Sequence, residues 1–333
     1  MFIVDSYAVA VALCFITMLC WGSWANTQKL AGKQWRFELF YWDYAIGVLI
    51  LSIVMALTLG SFGSQGRSFA ADVGQAALGN IASAFLGGVV FNVANILLVA
   101  AIAIAGMAVA FPVGIGLALV IGVVVNYLAT PVGDPGLLFG GVALVAIAIL
   151  LDAAAYRRLP SRGRGVTTKG LVLSVLCGVL MGFFYRFVAQ SMSPGFAALE
   201  AGKLGPYSAV FFFSLGLVAS NLVLNTLIMK RPIQGESLSM RQYFEGGPRL
   251  HAIGILGGAI WGVGMMLSIL ASGQAGFAIS YGLGQGATLV AAIWGVFIWK
   301  EFKEAAPGTS RLILLMFLGY VAGLSLIIWA RLV

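Results

Sequence analysis

Residues 87–127 read GGVVFNVANILLVAAIAIAGMAVAFPVGIGLALVIGVVVNY, and residues 257–297 read GGAIWGVGMMLSILASGQAGFAISYGLGQGATLVAAIWGVF. The two segments align without a gap at a constant offset of 170. Gly87-Gly88 meets Gly257-Gly258, Phe91 meets Trp261, Gly106 meets Gly276 and Ala108 meets Ala278. The spaced pair Gly114 and Gly116 meets Gly284 and Gly286, and Val120 meets Val290. Glycine is frequent in this chain, so one match says little; a register held over 41 positions points to an internal duplication. The offset is close to half of the 333 residues, as a duplication requires.

Working outward, apolar runs of about 20 residues or more recur from end to end, the length an α-helix needs to cross a bilayer. Of all residues 61% are hydrophobic and only 9% charged, against about 25% charged in a soluble domain. Backbone polar groups in lipid must be satisfied within the segment, and runs without polar alternation do this as helices rather than barrel strands. The runs place spans near 7–28, 37–60, 80–105, 107–129, 136–157, 169–192, 207–229, 250–272, 276–299 and 311–331. The predicted fold is an all-α membrane protein of ten transmembrane helices, arranged as a 5+5 inverted repeat. Residues 1–158 form the first five-helix half, 159–168 a cytoplasmic linker and 169–333 the second half. Five is odd, so the second half enters the membrane upside down.

Positive charge sets the orientation. Fifteen Lys and Arg fall in the odd-numbered loops, among them Lys29, Lys33 and Arg36, Arg157 to Lys169, Lys230 to Arg249, and Lys300 to Arg311. Only Arg67, Lys203 and Arg331 fall in the even loops and tails. Cytoplasmic loops carry the excess of Lys and Arg, which places both termini outside. The net charge of +8 therefore belongs to membrane topology, and no nucleic-acid partner is expected. Asp5 precedes the first run with no basic residue, unlike a cleaved leader, so span one is expected to be retained. Cys14, Cys20 and Cys177 lie inside apolar runs and read as small hydrophobes. No metal or nucleophile spacing occurs, so neither a cofactor nor an enzyme is predicted, and an intramembrane hydrolase lacks its dyad.

Several motifs resemble the drug/metabolite transporter superfamily, in the branch of glucose/ribose porters, rhamnose–proton symporters and ureide permeases. They are Cys20-Trp-Gly-Ser-Trp24, Tyr41-Trp-Asp-Tyr44, Gly87-Gly88 with Asn92 and Asn95, Gly273-Gln-Ala-Gly276, and Ile293-Trp-Gly-Val with Trp299-Lys-Glu301. The likeness covers essentially the whole chain. It implies the 5+5 helical fold and secondary transport, with Glu301 as the acidic residue closing span nine. Span six departs from the ureide permeases in reading Gly182-Phe-Phe-Tyr-Arg-Phe187, which turns the expected solute away from a purine type.

Polar residues in mid-span mark the candidate site, because a buried polar group without a partner costs free energy. Asn92 and Asn95 share a helix face at i, i+3, Asn221 and Asn225 at i, i+4, and Tyr281, Gln285 and Thr288 at i, i+4, i+7. Trp21, Trp24 and Gln28 line one face of span one, and Trp261 belongs to span eight. Amides both donate and accept and so match hydroxyls, while indoles offer flat apolar surface. The same side chains also serve as interhelical glue. Asn92, Asn95, Tyr281, Gln285 and Thr288 are expected to converge on one central cavity, since inverted repeats bind solute where the halves meet.

Pro112 removes a backbone donor from span four and is a candidate gating position, with a static kink as the alternative. Asp43, Asp152 and Arg186 are the ionisable residues within spans. Asp43 is the proton-coupling candidate, Arg186 a pathway residue, and Asp152 an interfacial ion-pair candidate. His251, beside Arg249, reads as interfacial. The predicted function is secondary transport of a small neutral polar solute, preferably a sugar, by alternating access across the cytoplasmic membrane. Proton symport is expected, a ureide or nucleobase-like heterocycle is the alternative solute, and monomer and homodimer both stay open.

Overall fold

The computed structural model describes residues 1–32, 35–160, 167–233 and 235–333. Ten of its helices are long and apolar enough to cross a membrane. Spans one to five are Tyr7–Ala31, Phe37–Leu57, Leu78–Ala105, Val109–Ala129 and Pro135–Tyr156. Spans six to ten are Thr168–Ser191, Pro206–Lys230, Pro248–Ala275, Phe277–Ile298 and Thr309–Trp329. Every end lies within three residues of the boundary read from the sequence. The described residues contain no strand, and the fold is all-α. Lys33, and Arg162 and Arg164 of the expected linker, lie outside the described residues.

Local chemistry sets the helix ends. The Ser6 hydroxyl accepts from the Val9 N–H at 3.3 Å to start span one, and the Asp134 carboxylate accepts from Leu137 at 2.8 Å to start span five. Pro135 and Pro206 open spans five and seven, where a missing N–H is no loss. Spans three and four are separated by Gly106 (φ 80°, ψ 162°), and spans eight and nine by Gly276 (φ 82°, ψ 154°). That region of backbone space is essentially reserved for glycine. The duplicated glycine thus recurs with its backbone conformation.

The chain forms two compact units, one of Met1–Asn92 with Phe187–Gln274, the other of Val93–Arg186 with Ala275–Val333. In the first unit, four glycines let helix backbones touch. A side chain on Gly88 would run into Phe213 and Leu217 of span seven, and one on Gly258 into Tyr44 and Val48 of span two. Gly47 presses in the same way on Ile255 of span eight, and Gly216 on Phe85 of span three. Residues and partners correspond at offsets of 169 or 170, so span two packs on span eight as span seven packs on span three. Small residues are the usual means of close helix approach in lipid, where no hydrophobic force draws helices together.

Two short helices that the sequence reading left as loops, Phe69–Gln75 and Met240–Phe244, also recur at nearly that offset. The first is clamped by Asp72, which accepts from Arg67 Nε at 2.9 Å and from the Gly205 N–H at 2.7 Å. Arg67 in turn donates to the carbonyls of Leu199, Glu200 and Lys203.

In the second unit, Gly141 of span five and Gly323 of span ten each lie against the other's carbonyl. Leu314, Leu315, Leu318 and Val321 of span ten are exposed, as are Leu222, Val223 and Leu227 of span seven in the first unit. Apolar faces of this extent belong in hydrocarbon.

The loop charges set an expectation for orientation. A reporter fused at Val333 should label the outer side, and one inserted within 159–168 the cytoplasmic side. An external 159–168 insertion would reverse the assignment.

Candidate solute site

In the first unit an aromatic wall forms around Trp261. The first helix of span one ends at Ser23 and a second begins at Ala25, with the break at Trp24. The Trp24 carbonyl accepts from the Thr27 hydroxyl at 2.6 Å, which holds the re-entry. Trp21 stacks on Trp261 with centroids 5.8 Å apart and planes 15° off parallel, and its Nε1 donates to the Trp261 carbonyl at 3.2 Å. Gly264 makes room for that indole: a Cβ there would lie 2.6 Å from Trp21 Cδ1. Phe91 at 4.4 Å and Phe213 at 5.9 Å complete the surround of Trp261. Tyr44 lies 6.3 Å from Trp261 and 4.7 Å from Trp24. Trp21 and Trp24 are half-buried, whereas Tyr44 and Phe213 are fully buried. Five spans therefore supply one continuous aromatic surface.

The same unit holds amides that are incompletely bonded. Asn92, directly after Phe91, donates from Nδ2 to Ser220 Oγ at 2.9 Å, while its Oδ1 has no partner among the described residues. Asn225 donates to the Glu38 carbonyl at 2.8 Å and leaves its Oδ1 unpaired. Asn221, next to Ser220, is fully buried with neither amide atom bonded among the described residues, and the Tyr44 hydroxyl is likewise buried without a partner among them. Each such group costs about 1–3 kcal/mol. Several orphaned groups within one unit mark a place where function outweighs stability.

Asp43, the residue just before Tyr44, anchors a charged cluster in the same unit. Asp43 is 1% exposed. His251 Nδ1 lies 2.9 Å and 3.1 Å from its two oxygens, and the Tyr243 hydroxyl donates to Oδ1 at 2.6 Å. Tyr243 sits on the short helix Met240–Phe244, which Ser239 and Gln242 close with a reciprocal capping box. Burial, and after it the Asp43 carboxylate, push the Tyr243 hydroxyl above the usual phenol range, so it remains a donor. His251, read from sequence as an interfacial residue, is tied to Asp43, 208 positions away. Its single signal in the sequence was being the lone histidine.

Asn95, Pro112, Arg186, Tyr281, Gln285 and Thr288 belong to the second unit. Tyr281 is fully buried, its hydroxyl lies 3.2 Å from the carbonyls of both Ala118 and Met181, and its ring occupies the space beside Gly122. Span nine breaks at Gln285 and Gly286, between helices Phe277–Gly284 and Ala287–Ile293. The Thr288 hydroxyl donates to the Gln285 carbonyl at 2.9 Å, so it is occupied in shaping the break. Span four, by contrast, runs as one helix through Pro112. The break thus occurs at the glycine-flanked Gln285, not at the proline. Asn95 is buried, and Arg186 is half-buried with no hydrogen bond or ion pair among the described residues.

Span nine ends in a wide turn of the π type, Trp294–Ile298, after which Glu301 accepts from the Tyr156 hydroxyl at 2.8 Å. Asp152, placed at the interface from sequence, lies within electrostatic range of Glu301. It makes no hydrogen bond or ion pair among the described residues.

A sequence profile of the ureide permeases matches residues 40–164 and 162–330. The chain belongs to the ureide permease family. Ureide permease 1 of Arabidopsis thaliana is 23% identical over 383 aligned positions, covering 98% of each chain. Ureide permease 2 of the same plant is 24% identical, again over 98% of each. One solved crystal structure aligns with 98% of this chain and 99% of its own at 15% identity and a TM-score of 0.62, a likeness of fold alone. As a ureide permease family member the protein is a multi-pass membrane transporter and not an enzyme. The preference for a sugar finds no support in these relatives, and the alternative of a ureide fits them better. Arg186, on which the sequence reading turned away from a purine-type solute, does not take the chain out of the family.

Proposed function

We propose that this protein carries a small neutral cyclic ureide across the cytoplasmic membrane by alternating access, with proton-coupled uptake. Asn221 is the observation that carries the reading: a fully buried amide with both atoms unpaired. A cyclic ureide presents an N–H beside a C=O on one ring edge. A carboxamide offers the complementary acceptor and donor at the same spacing, so both atoms are satisfied together. The flat ring suits the face of Trp21, Trp24 or Trp261. We assign substrate contact to these three indoles with Asn92 and Asn221, and proton coupling to the cluster around Asp43. The glycine contacts that recur at 169 or 170 support two inversely related halves, a design that binds solute at mid-membrane.

A thermal-shift panel on detergent-purified protein tests the solute class. Hydantoin and uracil represent ureide rings, and glucose and rhamnose represent sugars. A ligand at 100 times its Kd stabilises the state it binds by about 2.7 kcal/mol, so hydantoin should raise the melting temperature while the sugars leave it unchanged. A shift with sugars alone would overturn the assignment.

A further inference from the structure

We infer that His251 Nε2 is the atom that takes up the transported proton, with Asp43 as its fixed counter-charge and Tyr243 as the group that holds the carboxylate in place. The inference rests on the permease reading and deepens it.

The geometry divides the roles. His251 Nδ1 is within hydrogen-bond reach of both Asp43 oxygens, at 2.9 and 3.1 Å. Facing a carboxylate on both contacts, Nδ1 carries a hydrogen whether the ring is neutral or charged. Nε2 makes no hydrogen bond among the described residues and is therefore the nitrogen at which a proton is gained or lost. The Tyr243 hydroxyl, kept protonated, occupies Oδ1 at 2.6 Å. Asp43 faces the Tyr243 hydroxyl, His251 Nδ1 and the Trp35 indole, and none of these donors is lost when Nε2 gains a proton.

Arg249, two residues before His251, is exposed. Tyr243 of the short helix and His251 of span eight are the titratable groups in contact with Asp43. The nearby charged pairs are internally matched, Arg36 with Glu38 and Arg241 with Glu245. Trp35 lies edge-on to the imidazole at 5.2 Å, and Tyr243 at 4.8 Å. The space is shaped for these groups: a side chain on Gly254 would run into Asp43, and one on Gly246 would meet the Trp35 ring and come within 2.9 Å of His251 Nε2. Within spans, ionisable groups of this kind lie along proton or solute paths.

The charge balance gives the coupling. With Asp43 ionised and the imidazole neutral, the pair carries one negative charge. A proton added at Nε2 makes imidazolium and carboxylate, with no net charge. Moving an uncompensated charge into low dielectric is costly, whereas a hydrogen-bonded pair of zero net charge is far less so. The loaded carrier reorients with the pair at zero net charge, the proton leaves Nε2 on the other side, and the empty carrier returns with the pair carrying one negative charge.

The test uses the whole protein in proteoliposomes with radiolabelled hydantoin, with His251→Gln and His251→Asn as variants. Accumulation driven by a pH gradient should fall roughly tenfold or more in both, while hydantoin exchange without a gradient continues. Loss of exchange together with accumulation would reassign His251 to binding or folding, and unchanged accumulation would remove it from coupling. Because the sequence has one histidine, nitrogen NMR of histidine-labelled protein reads the same site without any substrate. Acidification should protonate Nε2 while Nδ1 stays protonated throughout; an Nδ1 that is bare at high pH overturns the assignment. If hydantoin is neither exchanged nor accumulated by the wild type, the solute reading fails, and the NMR measurement still decides the proton site.

Discussion

Replacing Asn221 by leucine is expected to make the solute-free protein more stable and to abolish solute binding. The two effects have one cause. In the free protein the Asn221 amide is fully buried with both atoms unpaired, a burden of about 1–3 kcal/mol that an apolar side chain of similar size removes. The melting temperature in detergent should rise accordingly. With solute bound, the same amide is satisfied by the ureide edge. Leucine then leaves the solute's own N–H and C=O unmatched in a buried place, and affinity falls roughly tenfold or more. Thermal melts with and without hydantoin read both signs in one experiment. A variant that melts lower than wild type would make Asn221 a structural residue. A variant that keeps its hydantoin shift would remove it from the site.

Valine at Gly258 or at Gly88 is expected to prevent accumulation of folded protein. Side chains at these positions would enter the backbone of Tyr44 and of Phe213, and backbone cannot give way as a flexible side chain does. Overpacking of an ordinary core costs about 1–3 kcal/mol. Here two helices must separate along their length, against a total stability on the order of 5–15 kcal/mol. Gly74→Val is the control, since nothing lies within 4 Å of a Cβ at that position. Size-exclusion profiles in mild detergent should show a monodisperse peak for wild type and Gly74→Val, and aggregate for the other two. If Gly258→Val elutes and melts as wild type does, the close approach of spans two and eight is not what holds this unit.

Membrane class, span number and span ends were legible from residues alone because each is a property of a window of about 20 residues. Lipid forces every backbone N–H and C=O into bonds within its own segment, so a long apolar run can be little else than a helix. The repeat was legible for a similar reason, since it compares the chain with itself. Pairing between spans has no such local signal. Trp21 meets Trp261 across 240 positions and Asp43 meets His251 across 208, so nothing adjacent to either residue announces its partner. The hydroxyl of Tyr281 looked available for solute as one member of a polar stripe, yet it lies on the carbonyls of Ala118 and Met181. Asn221 looked like one amide among several, yet it is left with both atoms unpaired. A buried polar side chain costs or contributes according to which atoms stand opposite it, and the packing of distant helices alone determines that.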